Sequence, residues 1–159
     1  MSFFNQFSFL LMAGGLLVLA GLWLWRVRSL PLFTRLGGWL VLLVVIVGVW
    51  LLLRPTATPE VDGLADVEAR LGNGRPVVLE LYSEYCLGCM AQAADVLALE
   101  RALGAQAGVL RLSIHTEVGR LLWERYNAET TPTFIILDGE GREVKRTNSV
   151  PSVAQVLTP

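Results

Sequence analysis

The residues of this chain that are best suited to chemistry are its two cysteines, Cys86 and Cys89, which are separated by Leu87 and Gly88. They lie where an apolar run over residues 76–82 gives way to a segment rich in Ala and Leu, a change that predicts a strand followed by a helix. A helix N-terminus carries unpaired N–H groups and a partial positive charge, which stabilise a thiolate and lower its pKa from about 8.5. The sequence therefore predicts a dithiol whose first cysteine is nucleophilic near neutral pH.

Two other uses of a cysteine pair, a zinc site and a structural disulfide, fit the sequence less well. Zinc sites use four Cys, His or carboxylate ligands, whereas this chain has two cysteines and one histidine, His115. A disulfide between residues three apart closes a very small loop, so it would stabilise the fold little. A reversible dithiol is therefore favoured, with no metal and with no cofactor beyond the disulfide between Cys86 and Cys89.

Two segments of the chain together resemble the thioredoxin superfamily. Residues 77–89 are similar to the active-site strand and loop of that family. Residues 130–137, with the sequence Thr-Thr-Pro-Thr-Phe-Ile-Ile-Leu, are similar to the segment that holds its cis-proline against the dithiol. The resemblance covers about residues 60–159. It implies an α/β protein with a thioredoxin-like fold, in which helices flank a central mixed sheet.

The resemblance also implies roles for individual residues. Cys86 falls on the exposed nucleophilic cysteine, and Cys89 falls on the more buried resolving cysteine that attacks the mixed disulfide and releases the product. Glu80 falls on a buried acidic residue that moves the proton to and from the resolving cysteine, and simple solvation on a wet face is the alternative. Arg111 falls where the family often carries a lysine. A close approach of Arg111 to Glu80 would keep the carboxylate ionised and weaken the relay.

A client-binding surface is expected around Pro132. A cis bond before this proline leaves the N–H and C=O of Thr131 free to pair with an extended peptide, whereas an ordinary strand-entry proline is the alternative. Tyr85, Leu87 and Gly88 are expected to form the rest of this rim. Because neither residue between the cysteines is cationic, the reduced thiolate gains less stabilisation, which favours a moderate or reducing potential.

The apolar periodicity predicts the elements that position these residues. In chain order it predicts a helix capped by Asp62 and ending before residues 72–74, a strand over 77–82, a helix over 87–103, a strand over 109–114, a helix over 117–126, a hairpin of 133–137 and 142–147, and a short helix that begins at Pro151. A strand, a helix and a second strand in succession predict a right-handed crossover between parallel strands. His115 follows the second strand and is expected at the surface, without a catalytic role.

The first 54 residues differ sharply in composition from the rest of the chain. They contain no acidic residue, whereas all 14 Asp and Glu lie in residues 55–159. Residues 7–25 and 37–53 are uncharged and apolar, and each run is close to the length that crosses a hydrocarbon core of about 30 Å. The first run ends in large aromatic residues, which disfavours a cleaved signal peptide. Aromatic residues near both ends of the second favour a membrane span over a buried soluble helix.

The sequence therefore predicts a transmembrane hairpin over residues 1–54, a linker over residues 55–60 and a redox domain over residues 61–159. Residues 26–36, the short connection between the spans, contain three Arg, and basic loops of this kind stay in the cytoplasm. Both ends of the hairpin would then lie outside the cytoplasm, and the redox domain would lie there too. Because that domain is acidic, phosphates would repel it, and nucleic acid is excluded as a partner.

Together these features predict a bacterial thiol:disulfide oxidoreductase that is anchored in the inner membrane and faces the periplasm or cell exterior. It is expected to reduce protein disulfides, and its expected partners are client proteins with disulfides, a membrane electron carrier and the lipid bilayer. By analogy with the family, the clients include apocytochromes that await haem. Two alternatives stay open. One is an oxidase or isomerase, which would differ in redox potential, and the other is a membrane-tethered binding module or chaperone that works without turnover.

Overall fold

The computed structural model describes residues 3–27, 31–58, 61 and 63–158. The helices and strands within these ranges are, in chain order, α1 (Phe3–Gln6), α2 (Ser8–Arg26), α3 (Leu32–Leu53), α4 (Leu64–Arg70), β1 (Val77–Tyr82), α5 (Leu87–Leu103), β2 (Gly108–Ser113), α6 (Glu117–Arg125), β3 (Thr133–Leu137), β4 (Glu143–Thr147) and α7 (Val153–Leu157). The predicted order of elements in the redox domain is confirmed. The predicted cap of its first helix, Asp62, lies outside the described residues.

The four strands form one mixed sheet in the order β2-β1-β3-β4. Strand β1 pairs in parallel with β2, and β3 runs antiparallel to both of its neighbours, β1 and β4. Because β1 and β3 lie in the middle of the sheet and have helices on both faces, they are buried along their whole length. Strand β4 carries mostly polar residues and lies at an exposed edge. This arrangement is the thioredoxin-like fold that the resemblance implied.

Alternate side chains of β1 pack on opposite faces of the sheet, as the period of two in a strand requires. Val77, Leu79 and Leu81 join the core that includes residues of α4 and α6, whereas Val78 joins the core that includes residues of α5 and α7. The even-numbered residues of the strand, Glu80 among them, lie on the same face as Val78. The alternation of β1 therefore turns Glu80 toward the face that carries α5, the helix that holds the cysteines.

The two long helices that precede the sheet, α2 and α3, are 19 and 22 residues long and have mean hydropathies of 2.0 and 2.7. By length and composition, each is able to cross a membrane. Helix α3 begins at Leu32 rather than near residue 37, because the carbonyl of Pro31 accepts bonds from the Thr34 hydroxyl and the Arg35 N–H. The predicted loop over 26–36 is correspondingly shorter. Residues 28–30 of that loop and residues 59–60 of the predicted linker lie outside the described residues.

The short closing helix α7 begins at Val153, two positions later than the sequence indicated. Ser152, rather than Pro151, precedes its first turn, and the Ser152 hydroxyl accepts a bond from the N–H of Gln155. The Gln155 side chain accepts a bond from the N–H of Ser152 in return, which completes a capping box. Pro151 therefore lies before the cap, and the prediction that it starts the helix is wrong.

The redox domain packs against the end of the hairpin where α2 begins and α3 ends. Phe9 and Ala13 of α2 form an apolar cluster with Met90 of α5, and Ile46 and Trp50 of α3 pack around it. The indole N–H of Trp50 also donates to the carbonyl of Glu84 at 3.1 Å. The first turn of α5 therefore lies against the hairpin, which brings the hairpin close to the cysteines.

Candidate active site

Cys86 follows the loop after β1 and is the N-cap residue of α5. Its backbone is extended (φ −93°, ψ 119°), and its Sγ accepts a hydrogen bond from the N–H of Cys89 at 3.3 Å. An N-cap side chain in this position is close to the unpaired N–H groups and the positive end of the helix dipole. On its other side, the Cys86 thiol donates to the carbonyl oxygen of Thr131 at 3.3 Å. The dithiol therefore lies at a strand-to-helix junction, as the sequence indicated.

The two cysteines differ in acidity because their surroundings differ. Hydrogen bonds lower the pKa of Cys86 to about 6, the strongest from the Cys89 thiol and others from Thr131 and the backbone N–H groups of Cys89 and Gly88, while burial opposes them. Burial raises the pKa of Cys89, and the hydrogen bond to Cys86 raises it further. Near neutral pH the pair is therefore a Cys86 thiolate beside a Cys89 thiol.

A buried ion pair lies on the strands that support the dithiol. The Nε of Arg111 donates to Oε2 of Glu80 at 2.8 Å, and the two side chains are only 4% and 0% exposed. The parallel register makes residues 80 and 111 partners across β1 and β2, which explains why they meet. Among the described residues, Oε1 of Glu80 and Nη2 of Arg111 are buried without a hydrogen-bond partner. That carboxylate oxygen is consequently free to carry a proton.

The acidity of Glu80 reflects two opposing effects. Burial raises the pKa of this carboxyl, and the charge and hydrogen bond of Arg111 lower it, but burial is the larger effect. Arg111 therefore lies close enough to Glu80 to weaken a proton relay, but the pKa of Glu80 is still above its ordinary value. A raised pKa is what a carboxyl group needs to exchange protons near neutral pH. The relay role of Glu80 stays a prediction that this geometry allows.

The loop before β3 forms the wall opposite the dithiol. The peptide bond between Thr131 and Pro132 is cis, and a Cβ added to Gly88 would lie 3.5 Å from the proline Cδ. Asn148 holds this loop, because its Nδ2 donates to the Pro132 carbonyl at 2.9 Å and to Oγ1 of Thr130 at 2.8 Å. No motif or spacing in the sequence indicated this residue. Asn148 is distant from the proline in sequence, and only the pairing of β3 with β4 brings the two together.

The expectation that Cys86 is exposed is wrong. Cys86 and Cys89 are both 0% exposed, and they form a small buried cluster with Tyr82. The physical reason is that residues 3–9, which we call the capping segment, lie over the site. The family resemblance covers only the redox domain, so it gave no indication of a cover that comes from the first residues of the hairpin.

The capping segment is bonded to the chain on both sides of Cys86. The Oδ1 of Asn5 accepts hydrogen bonds from the Thr131 N–H at 2.7 Å and from the Thr131 hydroxyl at 2.8 Å. The Oγ of Ser8 accepts from the N–H of Leu87 at 3.0 Å. In addition, the hydroxyl of Ser83 donates to the carbonyl of Gln6 at 2.9 Å. In the sequence, Asn5 and Gln6 form a polar pair between Phe4 and Phe7, and this is a signal that could have pointed to Asn5.

Tyr85 and Leu87, which were expected to line an open rim, face the hairpin. The Tyr85 ring stacks against Phe7, with centroids 5.9 Å apart, and against Trp50, with centroids 6.1 Å apart. Leu87 packs on the apolar cluster that α5 forms with α2 and α3. The predicted contacts of these residues with a client stay predictions, and the hairpin would have to move before a client could reach them.

His115 is exposed, as predicted, but it lies beside the site rather than away from it. Its ring centroid is 5.5 Å from that of Tyr85 and 5.5 Å from that of Phe7. Its Nε2 is 3.0 Å from the hydroxyl of Ser83, the residue that also bonds the capping segment. His115 therefore supports the loop before Cys86 and the aromatic cover above it.

Comparison with known proteins gives relatives of one kind. No family model matches the chain. The chain is 28% identical over 93 residues to the thiol:disulfide interchange protein TxlA of Synechococcus elongatus, a match that covers 56% of this chain and 49% of the relative. It is 30% identical over 76 residues to the chloroplastic thioredoxin-like protein HCF164 of Arabidopsis thaliana, which covers 48% of this chain and 29% of that protein. The chain thus spans about half or less of the length of these curated relatives.

Solved structures that are similar to this chain include two thioredoxins. Thioredoxin from Fasciola hepatica has a TM-score of 0.49 and 21% identity, over 59% of this chain and 90% of that one. The germline-specific thioredoxin Deadhead from Drosophila melanogaster has a TM-score of 0.46 and 26% identity, over 54% of this chain and 76% of that one.

Three observations agree on a thioredoxin-like arrangement. The dithiol caps a helix that follows a central strand, and a cis-proline lies opposite it. The sequence relatives are named as thiol:disulfide interchange and thioredoxin-like proteins. The domain that follows the two long apolar helices therefore has a thioredoxin-like fold and active-site arrangement, and the chain is similar to these thiol:disulfide interchange and thioredoxin-like proteins.

Proposed function

We propose that this protein is a membrane-anchored thiol:disulfide oxidoreductase that reduces disulfides of client proteins. The observation that carries the proposal is the division of acidity within the dithiol: the pKa of Cys86 is lowered to about 6, and that of Cys89 is raised. A thiolate beside a thiol is the form that a reductant needs to begin exchange. The names of the relatives support the same activity.

The proposed reaction has two displacement steps. The Cys86 thiolate attacks one sulfur of the client disulfide, a mixed disulfide forms, and the other client sulfur leaves as a thiolate and takes a proton. Cys89 then loses its proton and attacks Sγ of Cys86, which forms the disulfide between Cys86 and Cys89 and releases the second client sulfur. The client gains two electrons and two protons. The dithiol supplies both electrons and the proton of Cys89, and the second proton comes from solvent because Cys86 starts as a thiolate. A membrane electron carrier is the proposed source of the electrons that restore the dithiol.

Glu80 is the proposed proton acceptor for the second step. Because the pKa of Cys89 is raised, this thiol cannot act as a nucleophile unless a nearby base removes its proton. Glu80 is close enough for its charge to affect Cys89, it lies on the face of β1 toward α5, and its Oε1 is free of hydrogen bonds among the described residues. Arg111 would hold the carboxylate in place through its other oxygen.

The acidity of Cys86 also supports the reducing direction. Strongly oxidising members of the family have a first-cysteine pKa of about 3.5, and thioredoxin has one of about 7. A pKa of about 6 for Cys86 is closer to thioredoxin, and Leu87 and Gly88 add no cation that would stabilise the thiolate further. A weaker preference for the thiolate favours donation of electrons to a client.

The hairpin is proposed to anchor the protein in the inner membrane, with the redox domain on the extracytoplasmic side. The start of α2 and the end of α3 both lie against the redox domain, so one side of the membrane would hold both of them. The three Arg residues within residues 26–36, at and near the connection between α2 and α3, favour the cytoplasm for the opposite end. A topology reporter fused after the last residue would be active in the periplasm, and a cytoplasmic signal would contradict this location.

The experiment that tests the function is a measurement of the equilibrium potential of the dithiol in the full chain, purified in detergent. Glutathione and dithiothreitol buffers set the potential, and alkylation followed by mass spectrometry counts free thiols. A value near or below about −270 mV supports the reductase, whereas a value near about −120 mV supports an oxidase. If no reversible two-electron couple is found, the protein is not an oxidoreductase, and a binding module becomes the better explanation.

A further inference from the structure

The capping segment occupies the position in which a client peptide would bind. The client-binding mode expected from the sequence pairs an extended client backbone with Thr131, so a client carbonyl would accept a hydrogen bond from the Thr131 N–H. In the folded chain that N–H is already used, because it donates to Oδ1 of Asn5 at 2.7 Å. The amide oxygen of Asn5 has the same chemistry as a backbone carbonyl. Asn5 therefore stands where the client backbone would stand.

Other residues of the capping segment also bind groups on both sides of Cys86. Ser8 accepts the N–H of Leu87, and Phe9 donates its own N–H to the carbonyl of Tyr85 at 2.9 Å. Phe7 stacks on the Tyr85 ring. The segment itself is helical, over α1 and the first turn of α2. Its polar bonds nevertheless occupy backbone groups on both sides of Cys86, beside the Thr131 N–H that an extended client would use. The complete burial of Cys86 follows from this cover.

We propose that the capping segment is a tethered occupant of the client groove, and that clients must displace it to reach Cys86. This inference rests on the proposed function, because it takes the groove beside Thr131 to be a client site. A client that displaces the segment has to present a backbone carbonyl to Thr131, and an aromatic side chain at the Phe7 position would replace the stacking on Tyr85. Soluble disulfides that lack an extended segment would react slowly, since nothing in them competes for these bonds.

The test measures access to Cys86 without a client. The reduced full chain in detergent is treated with iodoacetamide at about pH 8, where a thiol of pKa about 6 is fully ionised, so the rate of alkylation reports access and not ionisation. Asn5→Ala removes both bonds to Thr131. Each hydrogen bond contributes roughly a factor of two to ten, so we expect alkylation of Cys86 to become about tenfold faster. Equal rates for this variant and the wild type would overturn the proposal.

Three further variants make the result specific. Phe4→Ala is the matched control, because Phe4 is in the same segment, is 73% exposed and has its ring against Phe3, and its alkylation rate is expected to equal that of the wild type. Asn5→Asp keeps the accepting oxygen, so slow alkylation should return. If Asn5→Ala does not fold, Ser8→Ala tests the other flank, where it removes the acceptor for the N–H of Leu87. A wild-type rate in folded Ser8→Ala would then contradict the proposal.

A second readout separates this inference from the proposed function. With a peptide disulfide as substrate, Asn5→Ala should lower KM and leave kcat within about twofold, because the cover competes with binding and does not take part in bond exchange. If the protein exchanges disulfides but neither the alkylation rate nor KM changes in Asn5→Ala, the proposal that residues 3–9 cover the client groove is refuted, and the proposed oxidoreductase function is retained. If no variant exchanges disulfides while alkylation of Cys86 still becomes faster, the oxidoreductase function is refuted, and the proposal of a covering segment is retained.

Discussion

The two ends of the sheet each carry a pair of an arginine and a carboxylate, but the surroundings of the two pairs are opposite. At the dithiol end, Arg111 and Glu80 are 2.8 Å apart, and their side chains are 4% and 0% exposed. At the other end, Arg142 and Asp138 are 2.9 Å apart, and their side chains are 74% and 22% exposed. Similar distances therefore describe different interactions, because water screens the outer pair and is absent from the inner one.

The carboxyl groups of the two pairs shift in opposite directions. Burial raises the pKa of Glu80, whereas hydrogen bonds from the backbone and side chain of Arg142, with one from the Glu140 N–H, hold the pKa of Asp138 below its usual range. Asp138 stays ionised and closes the turn between β3 and β4. An arginine–carboxylate pair therefore has a carboxyl of raised pKa where the pair is buried, and an ionised carboxylate that closes a turn where the pair is exposed to solvent.

The largest difference between the two ends is expected in catalysis. Cys86→Ser removes the nucleophile, so reduction of a disulfide peptide by the full chain should fall to the uncatalysed background. Asp138→Asn, at the far end, should keep the wild-type rate. Titration of the released peptide thiols measures both variants. Substantial exchange by Cys86→Ser would mean that Cys89 attacks first and that the proposed order of steps is reversed.

The second difference is expected in stability. Arg111→Met leaves the carboxylate of Glu80 buried without its partner, which should cost about 3–5 kcal/mol in the free energy of unfolding. Arg142→Met should leave that free energy unchanged within error, because its pair is exposed to solvent. Urea unfolding of the full chain in detergent, followed by the fluorescence of buried Trp123, gives both values. A cost for Arg142→Met as large as that for Arg111→Met would remove the contrast between the two ends.

A third difference concerns the proton of Cys89. Glu80→Gln removes the proposed acceptor, so release of client from the mixed disulfide should slow by about 100-fold, a typical effect of losing a general base. The pH dependence of this step should disappear in the variant as well. Rapid-quench trapping of the mixed disulfide measures the rate, and Asp138→Asn is the control. If Glu80→Gln releases client at the wild-type rate, the carboxyl only balances the charge of Arg111.

The smallest expected effect is a change in the pH dependence of the reduction potential. Below about pH 6 both reduced thiols hold protons, so two protons accompany two electrons and the potential should fall by about 59 mV per pH unit. Above about pH 6 only Cys89 keeps its proton, and the slope should become about 30 mV per pH unit. Asp138→Asn should not change the pH at which the slope of the potential changes. A single slope up to pH 8 would show that Cys86 is not the low-pKa thiol.

The parts of the site that the sequence predicted are those fixed by local spacing. The position of Cys86 at the start of α5 follows from an apolar strand, two intervening residues and a run of helix-forming residues. The sequence left open whether Glu80 and Arg111 meet, and the parallel register of β1 and β2 brings them together. Contacts between residues that are distant in sequence, such as that of Asn148 with Pro132, could not be predicted from the residues next to them in the chain.

By itself, the sequence determined the dithiol, the cis-proline segment, the order of strands and helices, and the presence of two long apolar helices, because each depends on residues that are close together in the chain. The tertiary structure alone decided that Cys86 is buried, since its cover comes from residues 3–9, far away in sequence. It also decided the raised pKa of Glu80, because desolvation is a property of the packed core and not of the residue. Neighbours along the chain thus specify which chemistry is present, and packing specifies when that chemistry is accessible.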